Sequence, residues 1–283
     1  MLDAEEIRAL LRSSGLDARR SLGQNFVADP ALVHRIAELA GVGPGDHAVE
    51  VGPGLGSLTL ALADAGARVL AVEKDESLVP VLRQVLAARG AEHVTVHEAD
   101  ALALDWPTLL AGAPSWTFVA NLPYNVAVPI VLSVLEHAPM VQRLVVMVQR
   151  EVAERLAAGP GGRTIGIPSL RVAWYGTAEL LEIVPPEVFV PAPRIESALL
   201  GIVRRPPPSS TVAESEVLDL VARAYRQRRK MLRSTLGGVL DAATFGAAGI
   251  EPTARPEQLS IHDWVDLAVA RRSQVDPDGT ERS

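Results

Sequence analysis

VEVGPGLGSLTLAL, residues 49–62, begins as a short apolar run, breaks into three alternating glycines and resumes with helical spacing. A buried strand that turns sharply into a helix has this pattern, and glycine lets the turn adopt φ > 0 and approach a ligand closely. Working outward, further apolar runs follow: RVLAVE (68–73), HVTVHEAD (93–100), WTFVAN (116–121) and RLVVMVQ (143–149). Helix-like stretches separate them near 57–66, 75–89 and 127–137. Strands alternating with helices predict parallel βαβ units in an open α/β sheet, extended by β-rich segments near 171–184 and 195–204. RRPPPSS (204–210) then breaks every period and reads as a stiff linker, and residues 214–272 read as short helices with Gly and Pro breaks. The expected architecture is therefore α/β with a small helical domain after it, ending in a frayed tail over the last ten residues.

The glycine turn implies a ligand. In a doubly wound sheet, ligands bind at the carboxyl ends of the strands, near the switch in strand order. Gly52, Gly54 and Gly56 form G-x-G-x-G, not the G-x-G-x-x-G of dinucleotide binders, and Ser57 is expected to cap the following helix. Glu73 closes the second strand, where a carboxylate can accept ribose hydroxyls, and Asp100 closes the third, within reach of a base. Either acid could instead cap a helix, as could Asp75. Acids at successive strand ends, with no sign of a pyrophosphate site, fit the cation S-adenosylmethionine better than a dinucleotide.

Asn121 closes the fourth strand and opens NLPYNV (121–126). An exocyclic amine on a base is a poor nucleophile because its lone pair is delocalised into the ring. The Asn121 side-chain oxygen and the Leu122 carbonyl can accept its two N–H groups and favour a pyramidal nitrogen aimed at a sulfonium methyl. Pro123 fixes the backbone that presents this carbonyl. Tyr124 offers a face on which an extruded base can stack, worth about 1–3 kcal/mol. No strong base is needed, because the proton can leave after the methyl has moved.

Composition narrows the alternatives. With no cysteine, disulfides, zinc–thiolate sites and thiol nucleophiles are excluded. The six histidines (34, 47, 93, 97, 137, 262) lack the spacing of helical metal ligands, so no metal is expected. No apolar run reaches membrane-spanning length and the N-terminus is acidic and amphipathic, so a soluble, cytoplasmic protein is expected. A formal net charge of −7 argues against a nucleic-acid partner, yet RAYRQRRKMLRSTL concentrates Arg223, Arg226, Arg228, Arg229, Lys230 and Arg233. On a helix, 226, 229/230 and 233 share one face, opposite an apolar stripe of Leu218, Val221, Tyr225 and Leu232. That face is either solvated or a phosphate contact.

Taken together, SLGQNFVADP (21–30), VEVGPGLGSLT (49–59), VLAVEKD (69–75), EAD (98–100), NLPYNV (121–126), VPPEVFVPAPRIESALL (184–200) and RQRRKMLRSTL (226–236) resemble the ribosomal RNA adenine N6,N6-dimethyltransferases over nearly the whole chain. The branch resembled is the one acting on the small subunit (16S). The resemblance implies a Rossmann-like, seven-strand S-adenosylmethionine-dependent methyltransferase domain over 1–205, with a cofactor-covering segment 1–45, and a helical RNA-binding domain over 211–283. It implies that Asn25 and Val27 contact the cofactor, with Gly52 under its methionine part and Gly54 in the same turn. Glu73 would hold the ribose, Asp100 would face the adenine amine, and Asn121 would serve both cofactor and catalysis. Phe189 would be a second aromatic clamp beside Tyr124, or else a core residue. Arg226, Arg229, Lys230 and Arg233 would contact RNA. The implied reaction places two methyls on each of two adjacent adenosines in a hairpin near the 3′ end of 16S rRNA during small-subunit maturation. S-adenosylhomocysteine would be the product, and the enzyme would be a monomer. Val27 stands where the family more often has leucine.

Four rival readings remain. A large-subunit rRNA methyltransferase of the resistance type usually reads Asn-Ile-Pro-Tyr and lacks LGQNF. DNA adenine methyltransferases typically carry Asp/Asn-Pro-Pro-Tyr and a separate recognition region. A non-catalytic RNA-binding assembly factor would not need 121–124 intact, and a nicotinamide dehydrogenase would need other glycine spacing.

Overall fold

The computed structural model describes residues 1–16 and 24–275. The Leu22–Gly23 part of the LGQNF motif and the tail from 276 lie outside the described residues. The strands are β1 (Phe26–Val27), β2 (His47–Val51), β3 (Arg68–Glu73), β4 (Thr95–Glu98), β5 (Trp116–Asn121), β6 (Val141–Gln149), β7 (Gly176–Val184), β8 (Phe189–Val190) and β9 (Ser197–Arg204). The helices are α1 (Ala4–Ser13), α2 (Pro30–Ala40), α3 (Ser57–Asp64), α4 (Val79–Ala88), α5 (Trp106–Leu109), α6 (Ala127–His137), α7 (Arg150–Leu156), α8 (Ile167–Tyr175), α9 (Glu214–Tyr225), α10 (Leu232–Leu236), α11 (Ala242–Ala247) and α12 (Ile261–Val275).

Seven strands form one sheet in the order β4-β3-β2-β5-β6-β9-β7, as the α/β reading expects. The first five are parallel, and β9 runs antiparallel to β6. Sequence order reverses between β2 and β5, so the gap beyond their carboxyl ends is the switch point. Every residue of β2 after His47 is buried, which is why it reads as an unbroken apolar run apart from Glu50. Helix α3 is buried at Ser57 through Ala63, so it too shows no polar face. A separate two-stranded ribbon pairs β1 with β8, setting Val27 against Phe189.

The chain divides into two compact units, Met1–Ala153 with Thr177–Arg204, and Glu154–Gly176 with Arg205–Ser283. The break at 204/205 falls in the proline-rich linker. Residues 154–176, however, belong with the C-terminal helices rather than with a continuous domain 1–205. The cause is apolar: Leu170 and Trp174 of α8 share a core with Leu220, Val221, Leu232, Trp264 and Leu267. The β-rich segment expected from 171 accordingly starts only at Gly176, because 167–175 is helical.

The basic run also departs from expectation. Helix α9 stops at Tyr225, and Met231 is extended (φ −65°, ψ 151°), so 226–233 is a turn followed by the start of α10 and not one helical face. The Leu232 and Arg233 amides donate to the Ala254 and Pro252 carbonyls, which fixes the break. Arg226, Arg229, Lys230 and Arg233 are all exposed. Arg228 is directed elsewhere, donating to the Arg163 carbonyl (2.8 Å) and lying 3.8 Å from Glu257.

Candidate active site

A cavity opens at the switch point, lined from β1, the turns after β2, β3 and β5, and the loop after β4. Asn25, Val27, Gly52, Gly54, Glu73, Asp100, Asn121, Leu122, Pro123 and Tyr124 all line it, although they span about a hundred residues of sequence. Phe189 does not. Its side chain is 3% exposed and packs in the core with Phe26 and Val27, so the core alternative describes its place.

Two glycines shape the floor. Gly54 has φ +57°, and a Cβ there would meet the Phe26 ring at 2.8 Å. Gly56 has φ +93°, and a Cβ would lie 2.8 Å from Leu82 Cδ1. The turn therefore lets Phe26 of β1 from above and α4 from below approach the backbone at once. Gly56 itself occupies the cap position of α3, so the expected Ser57 cap is not formed. Ser57 is the first helical residue, buried, with an unpartnered hydroxyl.

Glu73 ties the floor to the β3 end. Its two oxygens accept the Gly54 amide (3.0 Å) and the Asp75 amide (2.8 Å). Burial raises its pKa, and those amide hydrogen bonds work against the rise. Each oxygen keeps acceptor capacity for a ribose hydroxyl. Asp75 does not cap α4, which has no side-chain cap; it accepts Ser77 N–H (3.1 Å) in the preceding turn and Gln24 Nε2 (2.8 Å). Asp100 lies at the rim, holding Lys74 Nζ at 2.6 Å and the Leu102 amide at 3.0 Å. The Lys74 hydrogen bond and the Leu102 amide keep its carboxyl below the usual range, so it is an anion at neutral pH.

Sequence reasoning passed over Glu50. It is 1% exposed and lines the cavity, and its Oε2 has no partner. Burial pushes its pKa up to about 8; the Thr59 hydroxyl opposes the rise and Glu73 adds to it. A polar residue inside the apolar run AVEV was the available signal. Gln24 was also unassigned, and it lines the cavity through the Asp75 contact.

Opposite the glycine turn, Asn121 donates its Nδ2 to the Asn25 carbonyl at 2.9 Å. That contact fixes the amide plane and leaves the side-chain oxygen as the acceptor Asn121 presents to the cavity. The Leu122 amide donates to the Met147 carbonyl (3.0 Å) and Val126 N–H to the Pro123 carbonyl (3.1 Å), which hold the loop rigid. The Tyr124 hydroxyl lies 2.7 Å from Ser197 Oγ. Among the described residues no group of three or more His, Cys, Asp or Glu could hold a metal ion. The donor set is the Asp100 anion and the buried Glu73 carboxyl, with buried oxygens at Glu50 Oε2 and Ser57 Oγ that have no partner. That set fits a cationic ligand carrying hydroxyl and amine groups.

A family model for ribosomal RNA adenine dimethylase matches residues 15–270. The ribosomal RNA small subunit methyltransferase A of Kineococcus radiotolerans is 45% identical over 291 residues, covering 99% of this chain and 96% of that protein. The protein of the same name from Acidothermus cellulolyticus is 45% identical over 277 residues, covering 95% and 94%. Among solved structures, the 23S rRNA methyltransferase ErmE superposes with a TM-score of 0.69 at 26% identity, over 88% of this chain and 100% of that one. A dimethyladenosine transferase from Plasmodium falciparum superposes with a TM-score of 0.75 at 19% identity, over 87% and 97%, a likeness of fold.

Proposed function

This chain belongs to the ribosomal RNA adenine dimethylase family, and from that premise we propose that it dimethylates N6 of two adjacent adenosines near the 3′ end of 16S rRNA in the small ribosomal subunit. The observation that carries the reading is the Asn121 amide, locked by Asn25 so that its oxygen is the acceptor at the end of β5. S-adenosylmethionine supplies an electrophilic methyl when bound, with Glu73 placed for its ribose, Asp100 for its adenine amine and the Gly52–Gly54 turn beneath its methionine part.

The protein's own share is positioning. Asn121 Oδ1 and the Leu122 carbonyl accept the two N–H groups of the target amine, which draws the nitrogen out of conjugation. Tyr124 stacks on the extruded base, and Pro123 holds the carbonyl in place. After the first transfer one N–H remains, so one acceptor suffices in the second round. Exposed Arg226, Arg229, Lys230 and Arg233 are assigned to RNA phosphates. Phe189 is 3% exposed and outside the cavity lining, so the stacking is assigned here to Tyr124 alone. We assign a monomer acting in the cytoplasm.

Labelled methyl transfer from S-adenosylmethionine to undermethylated small subunits tests the reading, with large subunits and duplex DNA in parallel. Dimethyladenosine from the small subunit alone is expected. Label in large subunits instead would place the chain among 23S enzymes. Asn121→Ala is expected to abolish transfer and spare RNA binding.

A further inference from the structure

Tyr124 sits on the loop after β5, and Ser197 is the first residue of β9, 73 positions later in sequence. Ser197 is fully buried and held in the sheet opposite Gln149 of β6. The residue before it is pinned as well. The Glu196 carbonyl accepts the Arg150 amide at 3.1 Å, and its carboxylate takes Arg150 Nη1 at 2.9 Å. Ser197 Oγ is therefore a fixed point of the sheet, and it lies 2.7 Å from the half-buried Tyr124 hydroxyl.

We infer that Ser197 is a positioning residue for the methyl transfer: its hydroxyl anchors the far end of the Tyr124 ring and so fixes the face against which the target base stacks. This rests on the function proposed above. A phenol held only at Cβ swings about χ1 and χ2. A hydrogen bond at the para position removes that freedom while leaving both faces of the ring open. Burial raises the Tyr124 pKa, with Ser197 opposing it, so the phenol stays protonated throughout the working pH range and the contact persists.

Tyr124→Phe keeps the ring and deletes only the tether, and Ser197→Ala deletes it from the other side. Each is expected to lower kcat/KM on undermethylated small subunits about fivefold, the size of one neutral hydrogen bond, with cofactor Kd unchanged and the melting temperature lowered by no more than about 2–4 °C. The double variant is expected to be no slower than either single one. Full activity in Tyr124→Phe, or multiplicative losses in the double variant, would overturn the assignment. A readout independent of turnover separates this from failure of the functional reading. The chain has three tyrosines, so 3-fluorotyrosine labelling gives three fluorine resonances, with that of 124 identified by its loss in Tyr124→Phe. In Ser197→Ala the 124 resonance is expected to shift and narrow as the ring gains motion. An unchanged line would sink the tether even if wild type methylates well. Wild type that methylates no RNA, with a shifted line, would retain the tether and reject the reaction.

Discussion

Glu50→Gln is a near-isosteric change at a carboxyl that sits in the middle of the sheet, opposite Ala71 on one side and Val119 on the other. In the folded protein burial lifts this group from the ordinary 4.5 to about 8. Below the lower value the carboxyl is protonated in both folded and unfolded chains and adds no pH dependence. Above it the unfolded chain ionises while the folded one does not, so stability falls as pH rises and stops falling only beyond the upper value. The slope in between is about 1.4 kcal/mol per pH unit, rounding off as the folded group begins to ionise. From pH 6 to pH 8 the loss attributable to Glu50 is therefore about 2 kcal/mol. Glutamine fills the same space with no charge to lose. Urea unfolding of both proteins across that interval isolates the group together with its coupling to Glu73, since titrations that do not face it cancel in the difference. The advantage of Glu50→Gln over wild type should grow by that amount, with the m-value unchanged. Parallel pH profiles would show that Glu50 is ionised in the folded state, and that the oxygens beneath the glycine turn carry a charge rather than a neutral acid.

Three further outcomes follow from the same geometry. Gly54→Ala places a methyl against Phe26 at a left-handed backbone position; thermal melting should show a loss of about 1–3 kcal/mol, and calorimetry a weaker S-adenosylhomocysteine complex. Asp100→Asn removes the anion at the rim and should weaken that complex about tenfold or more by titration calorimetry. Replacing Arg226, Arg229, Lys230 and Arg233 together by Gln should flatten the log K versus log salt slope for RNA by about 3, and an unchanged slope would move the phosphate contacts elsewhere.

The parts of the site legible in the sequence share a physical cause. A parallel strand buried on both faces admits polar residues mainly at its carboxyl end, so Glu73 and Asn121 stand out against apolar runs. Glu50 breaks that rule within the central strand and was absorbed into AVEV, because periodicity registers a run and not a lone acid inside it. Ser197 was invisible for a different reason. Its meaning lies in a contact with Tyr124 that only the antiparallel pairing of β9 on β6 creates. VFV around Phe189 fits a clamp or a core position equally well; on β8, paired with β1, its side chain is 3% exposed and packed with Phe26 and Val27. The basic run carries a helical period, yet the tie from Leu232 to Ala254 breaks the helix at Met231. Local pattern was overridden there by a contact more than twenty residues away.

The ribbon of β1 and β8 gives the site a coupling that no single motif suggests. Asn25 and Val27 line the cavity, Phe26 packs on the bare Gly54 backbone, and the Asn25 carbonyl takes the Asn121 amide. The same short segment thus touches the floor, the wall and the group assigned to accept the target amine. If the segment moved, Asn121 would lose the partner that sets its amide plane, and its oxygen and nitrogen could exchange places. An amide turned the other way presents a donor to an amine that needs an acceptor. Keeping 24–27 in place is therefore a condition for the transfer itself as well as for holding the cofactor, and it puts both under the control of contacts that the glycine at 54 makes room for.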